Sequence, residues 1–225
     1  MRGWIATSAE TMLDDPTTAV VLAGGDAVHL DQIEDIPDDA YVIAADSGLD
    51  QARRLDLIVD LIVGDLDSVS ARALAEAEGI PIEQYPTDKD FTDLELALDA
   101  AVRLDADRII VLGGHGGRLD HFMGNAAVLT APALKNRRVE WLAGYAHVYV
   151  VNRWTQLHGS VGATVSLLAV GGPATGVVTQ GLRWPLESET LETWQARGLS
   201  NQFNSPVATI NLASGTLLAV MPGGP

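Results

Sequence analysis

Apolar runs and helical patterns alternate along the first two thirds of the chain. Five β-type runs stand out: Ala19 to Ala23, Tyr41 to Ala45, Leu61 to Val63, Ile109 to Leu112 and Val139 to Ala143. Between them lie helical spacings, of which Leu94, Ala97, Leu98 and Ala101 form one and Phe122 to Leu134 covers another. This alternation predicts an α/β domain with a largely parallel sheet over residues 18–152. From about residue 153 the texture changes. Short β-type segments (Thr164 to Val170, Gly176 to Gln180, Val207 to Leu212, Thr216 to Met221) are separated by Gly, Pro and Ser, and helical signal nearly vanishes. Residues 153–225 therefore read as an all-β sandwich.

Parallel α/β sheets bind ligands beyond the carboxyl ends of their strands. Here those ends carry Gly24-Gly25-Asp26, Asp46-Ser47-Gly48, Gly64-Asp65-Leu66-Asp67-Ser68 and Gly113-Gly114-His115-Gly116-Gly117. A strand-like backbone through Asp65-Leu66-Asp67 would turn both carboxylates to one side and Leu66 to the other, so that two acids share one ion. A second acidic run, Thr87-Asp88-Lys89-Asp90-Phe91-Thr92-Asp93, precedes a helical pattern. Thr92-Asp93-Leu94-Glu95 has the form of a capping box, which accounts for Thr92 and places Asp93 in a first helical turn. It leaves Asp88, Lys89 and Asp90 unexplained. A magnesium ion carrying phosphate oxygens would explain them, because that ion keeps one or two protein carboxylates and fills its shell with phosphate and water.

The Gly113 to Gly117 loop offers close backbone approach and a following helix start with free N–H donors, and Arg118 adds a cation suited to a phosphate. Gly-Lys-Ser/Thr is missing, so this is not a P-loop, and the spacing is wrong for a dinucleotide fingerprint. His115 and His121 lack a ligand partner at helical spacing and the chain has no cysteine, which disfavours zinc and excludes thiolate chemistry and disulfides.

Charge sharpens the picture. The net charge is −16, with a pI near 4.4 and only two lysines, Lys89 and Lys135. Such a field repels nucleic acid and attracts cations. Mean hydropathy is +0.15, no apolar run approaches a membrane span, and the stretch before Thr18 lacks an apolar leader core, so a cytoplasmic location is expected.

The ordered set Ala45-Asp46-Ser47-Gly48, Gly64 to Ser68, Asp88 to Asp93, Gly116-Gly117-Arg118-Leu119-Asp120-His121, Gly181-Leu182-Arg183-Trp184 and Ser200-Asn201 resembles the thiamine pyrophosphokinase family. The resemblance implies an α/β domain followed by a β-sandwich, a homodimer with the substrate site at its interface, and magnesium-dependent transfer of pyrophosphate from ATP to thiamine. It implies Asp46, Asp65, Asp67 and Asp93 as magnesium carboxylates. Asp65, Asp67, Asp93 and Arg118 become the catalytic set. Lys89, Asp90, Thr92 and Asp120 would border the nucleotide, while Trp184, Ser200 and Asn201 would belong to the thiamine pocket. A pyrophosphokinase for another hydroxymethyl heterocycle, such as a pterin, and a magnesium-dependent phosphoanhydride hydrolase are the rival readings of the same acids.

Overall fold

The computed structural model describes residues 17–29, 33 and 35–223; the stretch before Thr17, on which the expectation of no leader rests, lies outside them. Six strands, β1 (Thr18–Leu22), β2 (Tyr41–Ala45), β3 (Leu61–Gly64), β4 (Ile82–Gln84), β5 (Arg108–Leu112) and β6 (Arg138–Ala143), form a parallel sheet in the order β6-β5-β1-β2-β3-β4. Period-two alternation sends Ala19, Val21, Ile43, Val63, Ile109 and Val111 into one core and Val20, Leu22, Ala44, Ile62, Ile110 and Leu112 into another. Helix α3 (Asp93–Arg103) covers the first face through Leu94, Ala97, Leu98 and Ala101. Helices α1 (Gly48–Arg54) and α2 (Ala71–Glu76) cover the other through Leu49, Ala52 and Ala73. The mixed α/β architecture read from the sequence is the observed one.

From Ala146 onward the described chain is all β. Strands β8 (Trp154–His158), β10 (Ala174–Gln180), β11 (Glu187–Leu191) and β13 (Val207–Asn211) form a separate antiparallel sheet in the order β11-β10-β13-β8. The facing layer is an extension of the first sheet: β7 (Ala146–Val151) turns back antiparallel on β6, then β14 (Leu217–Met221), β9 (Thr164–Ala169) and β12 (Asn201–Gln202) follow. Ten strands thus run as one sheet from β12 to β4. Strand β14 faces two cores, Leu217 and Ala219 packing in the sandwich and Leu218 in the α/β core.

One helix is shorter than its pattern. The apolar spacing predicts a helix from Phe122 to Leu134, but α4 spans Leu119–Val128 and the chain resumes as a 3-10 turn at Pro132–Leu134. Proline disfavours helical backbone in the residue before it, and Ala131 is accordingly extended at ψ 141°. No helix among the described residues is long and apolar enough to cross a membrane.

Candidate active site

The ends of β1, β2, β3 and β5 and the start of α3 open into one cleft of about 600 Å³. Asp46, Asp65, Asp67, Thr92, Asp93 and Arg118 line it. Lys89, Asp90 and Asp120 are not among its lining residues, and Trp184, Ser200 and Asn201 line a different cavity of about 280 Å³.

Asp46, Asp65 and Asp67 each offer a carboxylate oxygen, and the three oxygens lie within 4.8 Å of one another. The backbone that joins Asp65 to Asp67 is not the strand-like path expected from the sequence. Leu66 takes a left-handed conformation, φ 67°, and its side chain packs against the core on the α1 side, while the Asp67 N–H donates to Asp65 Oδ1 at 3.2 Å. A turn, not a pleat, brings the pair together. Gly64 precedes it at φ 144°, where a Cβ would come within 3.0 Å of Asp93 Oδ1 and 3.2 Å of Asp46 Cβ, so only glycine lets β3 end this close to both acids.

Asp46 also stands in left-handed backbone, φ 46°, and is only 8% exposed. Its Oδ1 is buried with no hydrogen-bond partner. Burial lifts this carboxyl above the ordinary carboxylate range, and the charges of Asp93 and Asp65 add to the lift against hydrogen bonds from the Ser47 backbone and Ser68. A buried, unpaired, mutually repelling carboxylate is costly unless a cation completes it. The donor set, all hard oxygens, fits magnesium.

Lys89 occupies the other side of Asp65. Its Nζ lies 3.0 Å from Asp65 Oδ2 and 3.1 Å from Asp93 Oδ1. The hydrogen bond from Lys89 holds the Asp65 carboxyl below its usual range; burial works against the Lys89 charge, but the two aspartates outweigh it and keep its pKa raised. Thr92 caps α3 in the predicted manner: Glu95 N donates to Thr92 Oγ1 at 3.2 Å and Thr92 N donates to Glu95 Oε2 at 2.8 Å. The cap fixes the first turn and so fixes Asp93; such caps are worth about 0.5–2 kcal/mol.

Two Gly-rich loops form the opposite wall. Gly114 N donates to Gly24 O at 2.7 Å and Asp26 N to His115 O at 2.9 Å. Three side-chain amide or indole groups lock the loops from behind: Gln51 Nε2 donates to Asp26 O (2.7 Å), Asn125 Nδ2 to Gly114 O (2.8 Å) and Trp141 Nε1 to Gly113 O (2.6 Å). The reading from sequence missed Gln51 and Asn125 as parts of this wall, while His115 lies in the Gly113 to Gly117 loop that it singled out. Gln51 in an otherwise apolar helix face, 1% exposed, is the signal that could have found it. Arg118 heads α4, lines the cleft with its side chain 70% exposed, and is engaged by Asp120, whose carboxyl is pulled down to about 2, chiefly by the hydrogen bond from that guanidinium.

In the second cavity Asn201 does not point its amide at an open space. Its Oδ1 accepts from Trp184 N at 3.1 Å and its Nδ2 donates to Trp184 O at 2.7 Å, so it holds the Trp184 backbone in both directions. The Trp184 ring is 48% exposed and carries the Arg183 guanidinium 4.7 Å above its centre.

Two family models match the chain. The family model described as the thiamin pyrophosphokinase catalytic domain matches residues 35–141, and the one described as the thiamin pyrophosphokinase vitamin B1 binding domain matches residues 154–217. Thiamine pyrophosphokinase of Bacillus subtilis (strain 168) is 26% identical over 161 residues, covering 70% of this chain and 75% of that protein. Thiamine pyrophosphokinase 1 of Oryza sativa subsp. japonica is 30% identical over 146 residues, 59% of this chain and 54% of that protein. Among solved structures, the Bacillus subtilis thiamine pyrophosphokinase superposes with a TM-score of 0.81 at 22% identity, covering 93% of this chain and 100% of that one. The thiamin pyrophosphokinase from Candida albicans gives 0.75 at 14% identity over 91% and 88%. At these identities the structural likeness shows the shared fold.

Proposed function

The chain belongs to the thiamine pyrophosphokinase family, and from that premise we propose that the acidic cleft binds ATP with magnesium while the cavity beside Trp184 receives thiamine. The rival acceptors and simple hydrolysis are not favoured, because both halves of the chain match the family, including its vitamin B1 binding domain. The observation that carries the magnesium reading is the Asp46, Asp65, Asp67 cluster with its unpartnered, buried Asp46 Oδ1.

The thiamine hydroxyl attacks the β-phosphorus of ATP, the bond from that phosphorus to the bridging oxygen of the α-phosphate breaks, and AMP leaves as the hydroxyl gives up its proton. Asp46, Asp65 and Asp67 would hold magnesium, which when bound neutralises phosphate charge as the group transfers. The remaining work belongs to the chain's own groups. Lys89 pairs with both Asp65 and Asp93 and fixes them, and its hydrogen bond holds the Asp65 carboxyl below its usual range. The start of α4 presents free backbone N–H groups, and Arg118, now on Asp120, can swing a planar donor pair onto phosphate oxygens. The locked glycine loops exclude side chains from the nucleotide path and hold the site in place.

A homodimer with a shared site accounts for two further features. Leu119, Phe122 and Met123 share one face of α4 and are 71%, 39% and 64% exposed, and α4 buries no residue. Such an apolar face beside the cleft suits a second protomer. A cytoplasmic location completes the proposal.

Two experiments test it. Incubation with ATP, magnesium and thiamine should yield AMP and thiamine diphosphate; ADP with thiamine monophosphate would refute the reaction. Mixing Asp67→Asn and Trp184→Ala proteins should, at thiamine concentrations too low for the Trp184→Ala protein, give more activity than either alone, since a mixed dimer then contains one intact composite site. Failure of exchanged, folded mixtures to show that gain would place both halves of the site within one chain.

A further inference from the structure

A third cavity, of about 610 Å³, opens at the opposite edge of the parallel sheet. Its walls come from the residues that lead into β6, the end of β7 and the start of β8. Because β7 runs antiparallel to β6, its carboxyl end lies at the amino edge of the parallel strands, away from the acidic cleft.

The charge of this cleft inverts that of the molecule. The chain has 30 acidic and 14 basic residues, yet Lys135, Arg137, Arg138 and Arg153 line the cleft and no Asp or Glu does. Arg137 is committed to the fold, bonding the Val102 and Ala106 carbonyls and Asp105. Arg138 shares Glu140 with Arg108 but is itself 64% exposed. Among the described residues, Lys135 and Arg153 have no carboxylate within ion-pair distance. Trp154 stands next to Arg153 with 61% of its surface in solvent, an unusual exposure for the largest aromatic side chain.

Unpaired cations gathered against a strongly negative background favour an anion, and an exposed indole beside them offers a face for a flat ring. The bounded volume suits a small molecule, and the remaining acidic surface opposes a nucleic-acid strand. We propose that this cleft is a second ligand site, for a small phosphorylated molecule carrying a flat ring, separate from the acidic cleft. The inference stands independently of the reaction assigned to that cleft.

Site-resolved titration of the full chain in EDTA tests it, with ADP and inorganic pyrophosphate as probes. Under these conditions the acidic cleft lacks the cation it needs to attract phosphate. The Trp154 indole N–H resonance, identified by its loss in Trp154→Phe, should shift saturably with both probes, and ADP should bind more tightly than pyrophosphate. Lys135→Ala/Arg153→Ala should weaken the response to ADP at least about tenfold, because charge-assisted contacts dominate phosphate binding. Both substitutions are on the surface, and unchanged thermal melting will verify folding. A missing or non-saturable Trp154 shift, or one with the same midpoint in the folded double variant, overturns the proposal.

Discussion

Lys89 Nζ and Asp65 Oδ2 are 3.0 Å apart, in side chains only 12% and 9% exposed. The hydrogen bond from Lys89 holds the Asp65 carboxyl below its usual range, whereas burial, with the charges of Asp93 and Asp65, lifts that of Asp46. One cation is built into the chain, and the cluster remains short of another.

Asp65→Asn and Asp67→Asn should each lower turnover at least about a hundredfold at saturating magnesium, since each removes charge that would position the ion. Steady-state rates with circular dichroism check this. Near-normal rates in both folded variants would reduce the two residues to turn formers.

Asp46→Asn should abolish most activity yet raise the melting temperature at pH 7 by about 2–4 °C, the shift that roughly 1 kcal/mol produces at this size. The sign follows from its raised folded-state pKa. The protonated form is favoured in the fold, so wild-type stability is fuller below the unfolded value and is lost as pH rises through the folded one. Asparagine mimics the neutral form and tolerates the φ of 46°. The gain should shrink at pH 4; a lower melting temperature at pH 7 would contradict the argument.

Glu140 gives the opposite pH dependence. It is 2% exposed and bonded by His147, Arg108 and Arg138; burial alone would raise its pKa, but these partners prevail and hold it at about 2. The stability it contributes is complete above its unfolded value and is lost as pH falls from near 4.5 towards 2. Glu140→Gln should cost about 2–3 kcal/mol at pH 7, because it strands partly buried cations. Urea unfolding at pH 7 and pH 3 should show that difference narrowing in acid.

Arg118→Ala should raise the ATP requirement severalfold and leave thiamine affinity in the absence of nucleotide unchanged. Separate titrations of the two substrates decide it, and a defect confined to thiamine would move the glycine loop out of the nucleotide site.

Trp184→Ala should raise the thiamine requirement about tenfold through loss of a ring platform for a cation, with little effect on ATP. Asn201→Ala should copy that defect, because its amide holds the Trp184 backbone at 3.1 and 2.7 Å. Thiamine affinity that survives both changes would leave the acceptor site elsewhere.

Much of this arrangement was legible because short-range rules govern it. The runs at Tyr41–Ala45 and Thr164–Ala169 became strands within a residue of their patterns, and the Thr92 capping box formed as written. Strand β4 was missed because it is three residues long, on an edge and mostly exposed, so it has no hydrophobic signature. The path through Leu66 was misjudged because core packing of one side chain overrode strand alternation. For Asn201, the family resemblance implied a pocket shared with Trp184 but could not tell a ligand donor from a backbone clamp. Nor does any local pattern announce that residues 217–221 pair with residues 146–151.

That pairing has a consequence for how the chain is made. Strand β14 is the last strand among the described residues, yet it sits in the interior of the ten-strand sheet, between β7 and β9. During synthesis β6 and β7 can assemble early, but β7 must wait with an open hydrogen-bonding edge until residues 217–221 emerge from the ribosome. The first domain therefore cannot be finished before the second, and a ribosome stalled within β14 leaves both cores unsealed.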